Sequence, residues 1–149
     1  MLPEISFLNP EEYKLNFKAE GLYYITASAT GPDDNVYQDT IEIIVLNKNQ
    51  LDMLLKGKWD GMKTALGNQD VDGSVKDIVE DSKDTYREQF TALVSVLDII
   101  GNELGQIQLV KIEGNRAEYE IIATEDGTTY SYYLLFVRDS DGLWKIERF

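Results

Sequence analysis

The side chains available for chemistry in this sequence are carboxylates and phenols. The 149 residues include 27 Asp and Glu and nine Tyr, but no His and no Cys. Without His the usual general base near neutral pH is missing, and without Cys there is no thiolate nucleophile, thiolate metal site or disulfide. Catalysis would therefore need a carboxylate in an apolar pocket, where desolvation raises its pKa, beside a Tyr or acid donor.

The pattern of acids and tyrosines does not assemble such a site. Tyr86, Tyr119 and Tyr133 fall at inward positions of the predicted elements. Glu118 and Glu120 alternate with Tyr119, so they face away from the apolar set, and no other acid falls on a predicted inward position. We predict no catalytic residue and no cofactor, and we interpret these tyrosines as core residues.

One acidic segment has the residue spacing found in the first half of a calcium-binding loop. Residues 68–74, Asn-Gln-Asp-Val-Asp-Gly-Ser, place oxygen ligands at alternate positions before a Gly. An EF-hand loop closes with Glu at its twelfth position, where this sequence has Val79, and Glu80 comes one residue late. We predict no tight metal site, with any calcium affinity millimolar or weaker, and interpret the run as a polar turn between helices with N-capping acids.

The overall charge excludes several classes of partner. Fourteen basic residues against 27 acidic ones leave a net charge of −13, which disfavours phosphate backbones and anionic membrane surfaces. No apolar run reaches the roughly 18 residues of a membrane-spanning helix, and the sequence does not open with a secretory signal. We expect neither nucleic-acid binding nor membrane insertion.

The last third of the chain predicts the element around which the rest is organised. Residues 106–149 read as a four-stranded antiparallel meander with turns at 113–115, 125–127 and 139–142. Before it, an apolar stripe at helical spacing predicts a first helix after Asn49, composed of Leu51, Leu55, Trp59, Met62 and Leu66. We expect a short helix over 74–81, and a capping box of Thr85 and Glu88 that opens a long helix reaching Leu104.

Residues 1–47 predict strands only. Polar and apolar residues alternate over 13–18, over 21–29 and over 39–45, with a Gly-Pro-Asp-Asp-Asn turn at 31–35. This pattern resembles the last three strands of a bacterial Ig-like or PKD-type sandwich, with Tyr23 at the position of a corner tyrosine. The resemblance implies a partial Ig-like segment over 1–47. The alternative is a self-contained β-extension of the following domain.

Residues 49–149 resemble the NTF2-like superfamily, an α+β cone in which three helices pack on a curved four-stranded antiparallel sheet. The resemblance rests on the closing Asp141-Gly142-Leu143-Trp144-Lys145-Ile146 strand and on the helical phrase around Trp59 and Gly61. It implies a cone-shaped pocket between the helices and the sheet, for which the candidate lining residues are Trp59, Met62, Tyr86, Phe90, Tyr119 and Tyr133. Because the superfamily includes enzymes and many non-enzymes, fold alone does not assign an activity.

The strand Tyr130–Val137 is apolar on both of its alternating faces, whereas a sheet covered on one side should alternate with polar residues. We predict a homodimer through the outer face, with Tyr132, Leu134 and Phe136 as candidate contacts, because NTF2-like domains often dimerise in this way. The resemblances favour a non-catalytic interaction or structural module of a larger bacterial exported protein, in contact with its other domains. The alternative is a small-molecule-binding or weak isomerase- or dehydratase-like enzyme.

Overall fold

The chain is α+β and divides into two compact units, Met1–Gln50 and Leu51–Phe149. A computed structural model describes residues 3–9 and 12–149. Residues 1–2 and 10–11 of the predicted strand segment lie outside the described residues. No helix among the described residues is both long and apolar enough to cross a membrane.

The N-terminal unit consists of two antiparallel ribbons of two strands each. Their bounds are β1 Glu4–Asn9, β2 Glu12–Asn16, β3 Gly21–Thr30 and β4 Val36–Val45. β3 and β4 are paired along all ten residues without a bulge. The predicted alternation is confirmed, since Tyr23, Ile25 and Ala27 of β3 lie opposite Ile43, Ile41 and Asp39 of β4 on one face.

Tyr23 anchors the chain that leads into β3. Its hydroxyl donates a hydrogen bond to the backbone oxygen of Ala19 at 2.8 Å. Its ring meets the ring of Phe17 edge to face, with centroids 4.7 Å apart. The phenol therefore fixes the turn four residues upstream of itself, at the point where the chain enters the ribbon.

The C-terminal unit contains the predicted meander, a four-stranded antiparallel sheet in the order β5-β6-β7-β8. The strands are β5 Gln106–Glu113, β6 Arg116–Glu125, β7 Thr128–Arg138 and β8 Trp144–Arg148. The far edge of β8 is covered by residues 77–79. The backbone N–H of Val79 donates to Ile146 O at 2.9 Å, and Ile146 N–H donates to Asp77 O at 2.7 Å.

Four α-helices precede this sheet, and their boundaries differ from the predicted ones. They are α1 Lys48–Gly67, α2 Val71–Ser74, α3 Glu80–Ala92 and α4 Leu97–Glu103, with a 3₁₀ turn over Val94–Val96. The predicted short helix over 74–81 is wrong because residues 77–79 are extended along β8. The predicted capping box is wrong as well: α3 begins at Glu80, so Thr85 and Glu88 lie inside it.

The predicted long helix is interrupted after Ala92, and a separate helix α4 follows the 3₁₀ turn. The interruption allows Gly101 of α4 to approach the end of α1 closely. A Cβ atom at Gly101 would lie 2.6 Å from Gly67 N and 2.8 Å from Lys63 O, which is shorter than real Cβ contacts. Gly101 therefore serves close helix packing and does not terminate the helix.

The core lies between these helices and one face of the sheet. The predicted stripe of α1 is confirmed, since Leu55, Trp59 and Leu66 are fully buried and Met62 nearly so. Apolar side chains of all four strands complete this core, chiefly Ile107, Ala117, Tyr119, Ile121, Leu134, Phe136 and Ile146. Burial of apolar surface of this kind is the main favourable term in folding.

We predict that Gly101→Ala destabilises the protein, although Ala at an exposed helical position normally stabilises it by about 0.5–1 kcal/mol. The added Cβ would overlap backbone atoms of α1, and such overpacking typically costs about 1–3 kcal/mol. Gly61→Ala is the matched control, because it lies exposed in α1 with no atom within 4 Å of the added Cβ. Urea unfolding measures both; a stabilising Gly101→Ala would show that α4 can move away from α1.

Candidate functional site

The interior expected to form a pocket is filled by the side chains that were expected to line it. Trp59 and Tyr119 are fully buried, and Met62 and Phe90 are nearly so, all within one core cluster. Tyr86 is half-buried and packs against that cluster. Tyr133 lies elsewhere: it is half-exposed, and the Arg148 guanidinium stands 5.2 Å from its ring centroid.

Phe149 occupies the space between the aromatic residues of the helices. Its ring stacks on Tyr86 with centroids 5.3 Å apart and meets Trp59 edge to face at 5.4 Å. Tyr86 in turn lies 5.7 Å from Phe90. Phe149, which the sequence analysis did not include, thus connects two of the predicted lining residues, Trp59 and Tyr86.

One ionisable pair reaches into this core, and sequence reasoning missed its acidic member. The Tyr119 hydroxyl donates to Asp52 Oδ1 at 2.8 Å, and the Lys56 ammonium donates to Asp52 Oδ2 at 2.8 Å. The expectation that no acid takes an inward position is therefore wrong. The available signal was spacing, because Asp52 precedes Leu55 by three residues and so continues the buried stripe of α1 towards its N-terminus.

The environment of Tyr119 keeps its proton in place. Burial, followed by the hydrogen bond and charge of Asp52, raises the pKa of Tyr119 well above its ordinary value of 10.0. The phenol is thus a neutral donor whose proton is committed to Asp52. This geometry connects α1 to the centre of β6, and it leaves no donor of Tyr119 directed at a bound molecule.

The structure reverses the two faces of β7. Leu134 and Phe136, expected on the outer face, are fully buried in the helix-covered core, where they lie opposite Tyr119 and Ala117. Tyr132 shares that inner face and is half-exposed. The sequence could not distinguish the two sets because both are apolar, whereas the register with β6 assigns them.

The outer face of the sheet is correspondingly mixed. Leu135 is fully buried there, Tyr133 lies beneath Arg148, and Ser131 donates to the Glu120 carboxylate at 2.8 Å. Partly buried Glu118 lies opposite Leu135. The continuous apolar patch predicted for this face is therefore interrupted by charged and polar side chains.

Two open clefts lie on the surface of the C-terminal unit. The first, of about 510 Å³, runs between α1 and α4 and is polar, with Asp60, Lys63, Asn68, Asn102 and Gln106 among its lining residues. The second, of about 320 Å³, lies beside the start of α3 and the turn before β8. Neither is lined by the predicted pocket residues.

The turn beside the second cleft contains a compact charge cluster. The largely buried Lys145 donates to Asp139 at 3.0 Å and to Asp141 at 2.6 Å. The hydrogen bond from Lys145, with backbone bonds from Ser140 and Glu80, lowers the pKa of Asp139 from 3.8 to about 2. The cluster closes the β7–β8 turn and connects it to the start of α3.

The described residues do not bring together a set of side chains that could bind a metal ion. No group of three or more acidic side chains among them is placed to hold an ion. In the loop with the calcium-like spacing, the Asp70 carboxylate accepts the Gly73 N–H at 2.9 Å and caps α2. The interpretation of this run as a polar turn with a capping acid is confirmed.

Comparisons with known proteins found one distant structural similarity and no related sequence. No protein family matches the sequence, and no curated protein does. Among solved structures, the chain is similar to a Campylobacter jejuni protein described as an NTF2-like transpeptidase, with 14% sequence identity and a TM-score of 0.42. The match covers 66% of this chain and 98% of that one. Similarity at this level assigns neither a family nor an activity.

We predict that Tyr119→Phe lowers the free energy of unfolding by about 1.5–3 kcal/mol, the usual contribution of a hydrogen bond to a charged group. Because the folded-state pKa of Tyr119 is raised, its contribution is complete below pH 10 and declines at higher pH. Tyr132→Phe is the control, since Tyr132 lies on the same face but is half-exposed. Equal losses in the two variants would contradict a specific role for the Asp52 contact.

We predict that Asp139→Asn flattens the acid side of the stability profile. The folded-state pKa of Asp139 is below its ordinary value of 3.8, so its stabilisation is present above that value and is lost as pH falls towards about 2. Asp126→Asn, in the turn at the opposite end of β6 and β7, is the control. Unfolding followed by circular dichroism across this pH range tests the prediction; an unchanged slope in Asp139→Asn would refute it.

Proposed function

We propose that this chain is a non-catalytic interaction or structural module of a larger bacterial exported protein. In this proposal residues 1–47 are the last strands of an Ig-like domain and residues 49–149 form an NTF2-like domain. The observation that carries it is the filled interior. Trp59, Met62 and Tyr119 occupy with their own side chains the volume in which a catalytic cone would hold a substrate.

The geometry of Tyr23 supports the Ig-like part of the proposal. Corner tyrosines of such sandwiches bond to the backbone a few residues upstream, as Tyr23 does to Ala19. An apolar side chain left exposed on the β3–β4 ribbon also supports it. Ile41, on the same face as Tyr23 and Ile25, is more than half exposed, whereas in a complete sandwich inward-facing residues of this kind are covered by a second sheet.

The order of elements supports the NTF2-like part. Helices come first, and a four-stranded meander then packs its apolar face against them. Export of the parent protein rests on the resemblance of the two parts to modules of exported bacterial proteins. The acidic, cysteine-free composition is compatible with that location.

The alternative function, a small-molecule-binding or isomerase-like domain, is favoured by one observation. Asp52 and Tyr119 are an acid and a phenol in contact at the edge of the apolar core, and these are the residue types that such chemistry uses. They are bonded to each other, however, and Tyr119 is fully buried. Calorimetric titration of the protein with a panel of apolar carbonyl compounds tests this alternative; saturable binding abolished by Tyr119→Phe would replace our proposal.

We predict that residues 49–149 fold without residues 1–47, because the helices and the meander form a complete core within one compact unit. The N-terminal ribbons should not fold alone, since two-stranded ribbons are marginally stable in water. Separate expression and thermal unfolding of the two pieces measure this. A cooperative transition in residues 1–47, or none in residues 49–149, would show that the division is wrong.

A further inference from the structure

Four Asp residues of this chain are each followed directly by Gly, and one of the four pairs differs from the rest in its contacts. The pairs are Asp60-Gly61, Asp72-Gly73, Asp126-Gly127 and Asp141-Gly142. The backbone nitrogen that follows an Asp can attack the side-chain carboxyl of that Asp. Gly favours the attack because it has no Cβ to obstruct the nitrogen or to restrict the backbone. Whether a given pair reacts therefore depends on what holds the Gly N–H and the carboxyl in the folded protein.

The first two pairs are held by helical structure. Gly61 lies inside α1, so its N–H is bonded to the carbonyl four residues earlier. Gly73 lies in α2, and its N–H donates to Asp70 Oδ1 at 2.9 Å, the bond that caps this helix. In both pairs the nitrogen that would have to attack is already bonded to an acceptor, and the backbone is fixed in a helical conformation.

The pair in the β7–β8 turn is held at both of its reacting groups. The Gly142 N–H donates to Asp139 O at 2.9 Å. The Asp141 carboxylate accepts hydrogen bonds from the Leu143 N–H at 2.9 Å and from the Lys145 ammonium at 2.6 Å. This carboxyl has to leave two donors before the neighbouring nitrogen can reach it.

Asp126-Gly127 has none of these contacts. The pair forms the two-residue connection between β6 and β7, and Asp126 is exposed. Among the described residues, the Gly127 N–H finds no acceptor, and the Asp126 carboxylate has neither a hydrogen-bond donor nor an ion-pair partner. A Cβ atom at Gly127 would meet no atom within 4 Å. Both reacting groups are therefore free of competing partners and open to water.

The backbone conformation of this turn favours its opening. Asp126 has a φ of 48° and Gly127 a φ of 78°, the left-handed values that a two-residue hairpin connection of this kind requires. Gly adopts such values freely, whereas they are less favourable for a residue with a Cβ. Leaving the native turn therefore releases strain at Asp126, which lowers the free energy needed to bring the carboxyl and the nitrogen together.

The end of this hairpin can open without disturbing the core. Residues 124–133 are all exposed, so the two ladder pairs nearest the turn contribute nothing to the core. The buried part of β6 ends at Ile121. Local opening of a hairpin end of this kind costs much less free energy than global unfolding. The Asp126 carboxyl can thus rotate into position for attack while the rest of the C-terminal unit stays folded.

We propose that Asp126 is a site of spontaneous isoaspartate formation in the folded protein. The Gly127 nitrogen forms a bond to Cγ of Asp126 and loses its proton, and one carboxyl oxygen leaves as water, which gives a succinimide ring. A water molecule then opens the ring. Attack at the side-chain carbonyl restores Asp, whereas attack at the main-chain carbonyl leaves Gly127 bonded through Cγ. The water released in the first step equals the water consumed in the second, so the net reaction is an isomerisation.

The product alters the turn without altering the mass or the charge of the chain. Isoaspartate inserts one extra methylene carbon into the main chain and moves the carboxylate onto Cα. The longer backbone does not fit a two-residue connection, so we expect the pairs Thr124–Thr129 and Glu125–Thr128 to be lost. The buried pair of Tyr119 and Leu134 remains. The inference goes beyond the proposed function, since it concerns a covalent change of the chain with time.

The test compares the four pairs within the same folded chain. The protein is incubated near neutral pH below its unfolding temperature, and samples are digested with trypsin. Cleavage after Lys and Arg places the four pairs on four different peptides. Electron-transfer fragmentation in a mass spectrometer distinguishes isoaspartate from aspartate. A parallel incubation in guanidinium chloride gives the reactivity of each pair without the fold.

In the folded chain we expect isoaspartate to form at Asp126 about tenfold or more faster than at the other three pairs, a difference of about 1.4 kcal/mol or more in activation free energy. In guanidinium chloride the four rates should lie much closer together, because the hydrogen bonds that protect three of the pairs are lost. Asp126→Glu is the matched variant. It keeps the charge but would have to form a larger, less favoured ring, so the signal at this position should disappear while the other three rates stay unchanged.

Three outcomes would overturn the proposal. Equal rates at the four pairs of the folded chain would mean that the fold does not select Asp126. A faster reaction at another pair would mean that the hydrogen bonds there do not protect it. Isoaspartate at Asp126 in guanidinium chloride but not in the folded chain would mean that the native turn holds the Gly127 nitrogen away from the carboxyl.

Discussion

The C-terminal unit depends on covering one face of a four-stranded sheet. At the centre of that face Tyr119 of β6 and Leu134 of β7 lie opposite each other, both fully buried. α1 lies over them with Trp59, also fully buried, whose Nε1 donates to Gly105 O at 3.0 Å. Polar atoms taken into an apolar interior need partners, and the phenol and the indole each have one. The core is thus built from large aromatic residues whose polar atoms are all satisfied.

That requirement has a direct bearing on activity. A cone-shaped fold can leave its interior open only if the residues there are small or are supported from elsewhere. Here the interior is filled by Trp59, Met62 and Phe136, and Phe149 completes the aromatic packing from the end of β8. The openings found on the C-terminal unit are surface clefts, and the filled interior is the observation on which our proposal of an interaction module rests.

The sequence correctly predicted the buried face of a strand where only one of its two faces is apolar. In β6 the acids Glu118 and Glu120 flank Tyr119, so only one face can be buried, and the structure agrees. In β7 both faces are apolar, and the choice between them depends on cross-strand register, which local pattern does not contain. The α1 stripe was recovered, whereas the limits of α2 and α3 were not, because backbone pairing of residues 77–79 with a distant strand overrides local helix propensity.

The pairing of residues 77–79 with β8 also has a consequence for synthesis of the protein. Ile78 forms its bridge with Ile146, from the last strand of the sheet, so the first half of this unit acquires its final partner only when β8 has left the ribosome. Until then the nascent chain exposes the Leu134-Leu135-Phe136 run, which is fully buried in the finished fold. An apolar stretch exposed in this way favours aggregation of the unfinished chain, so β8 protects the protein from its own β7 when it joins the sheet.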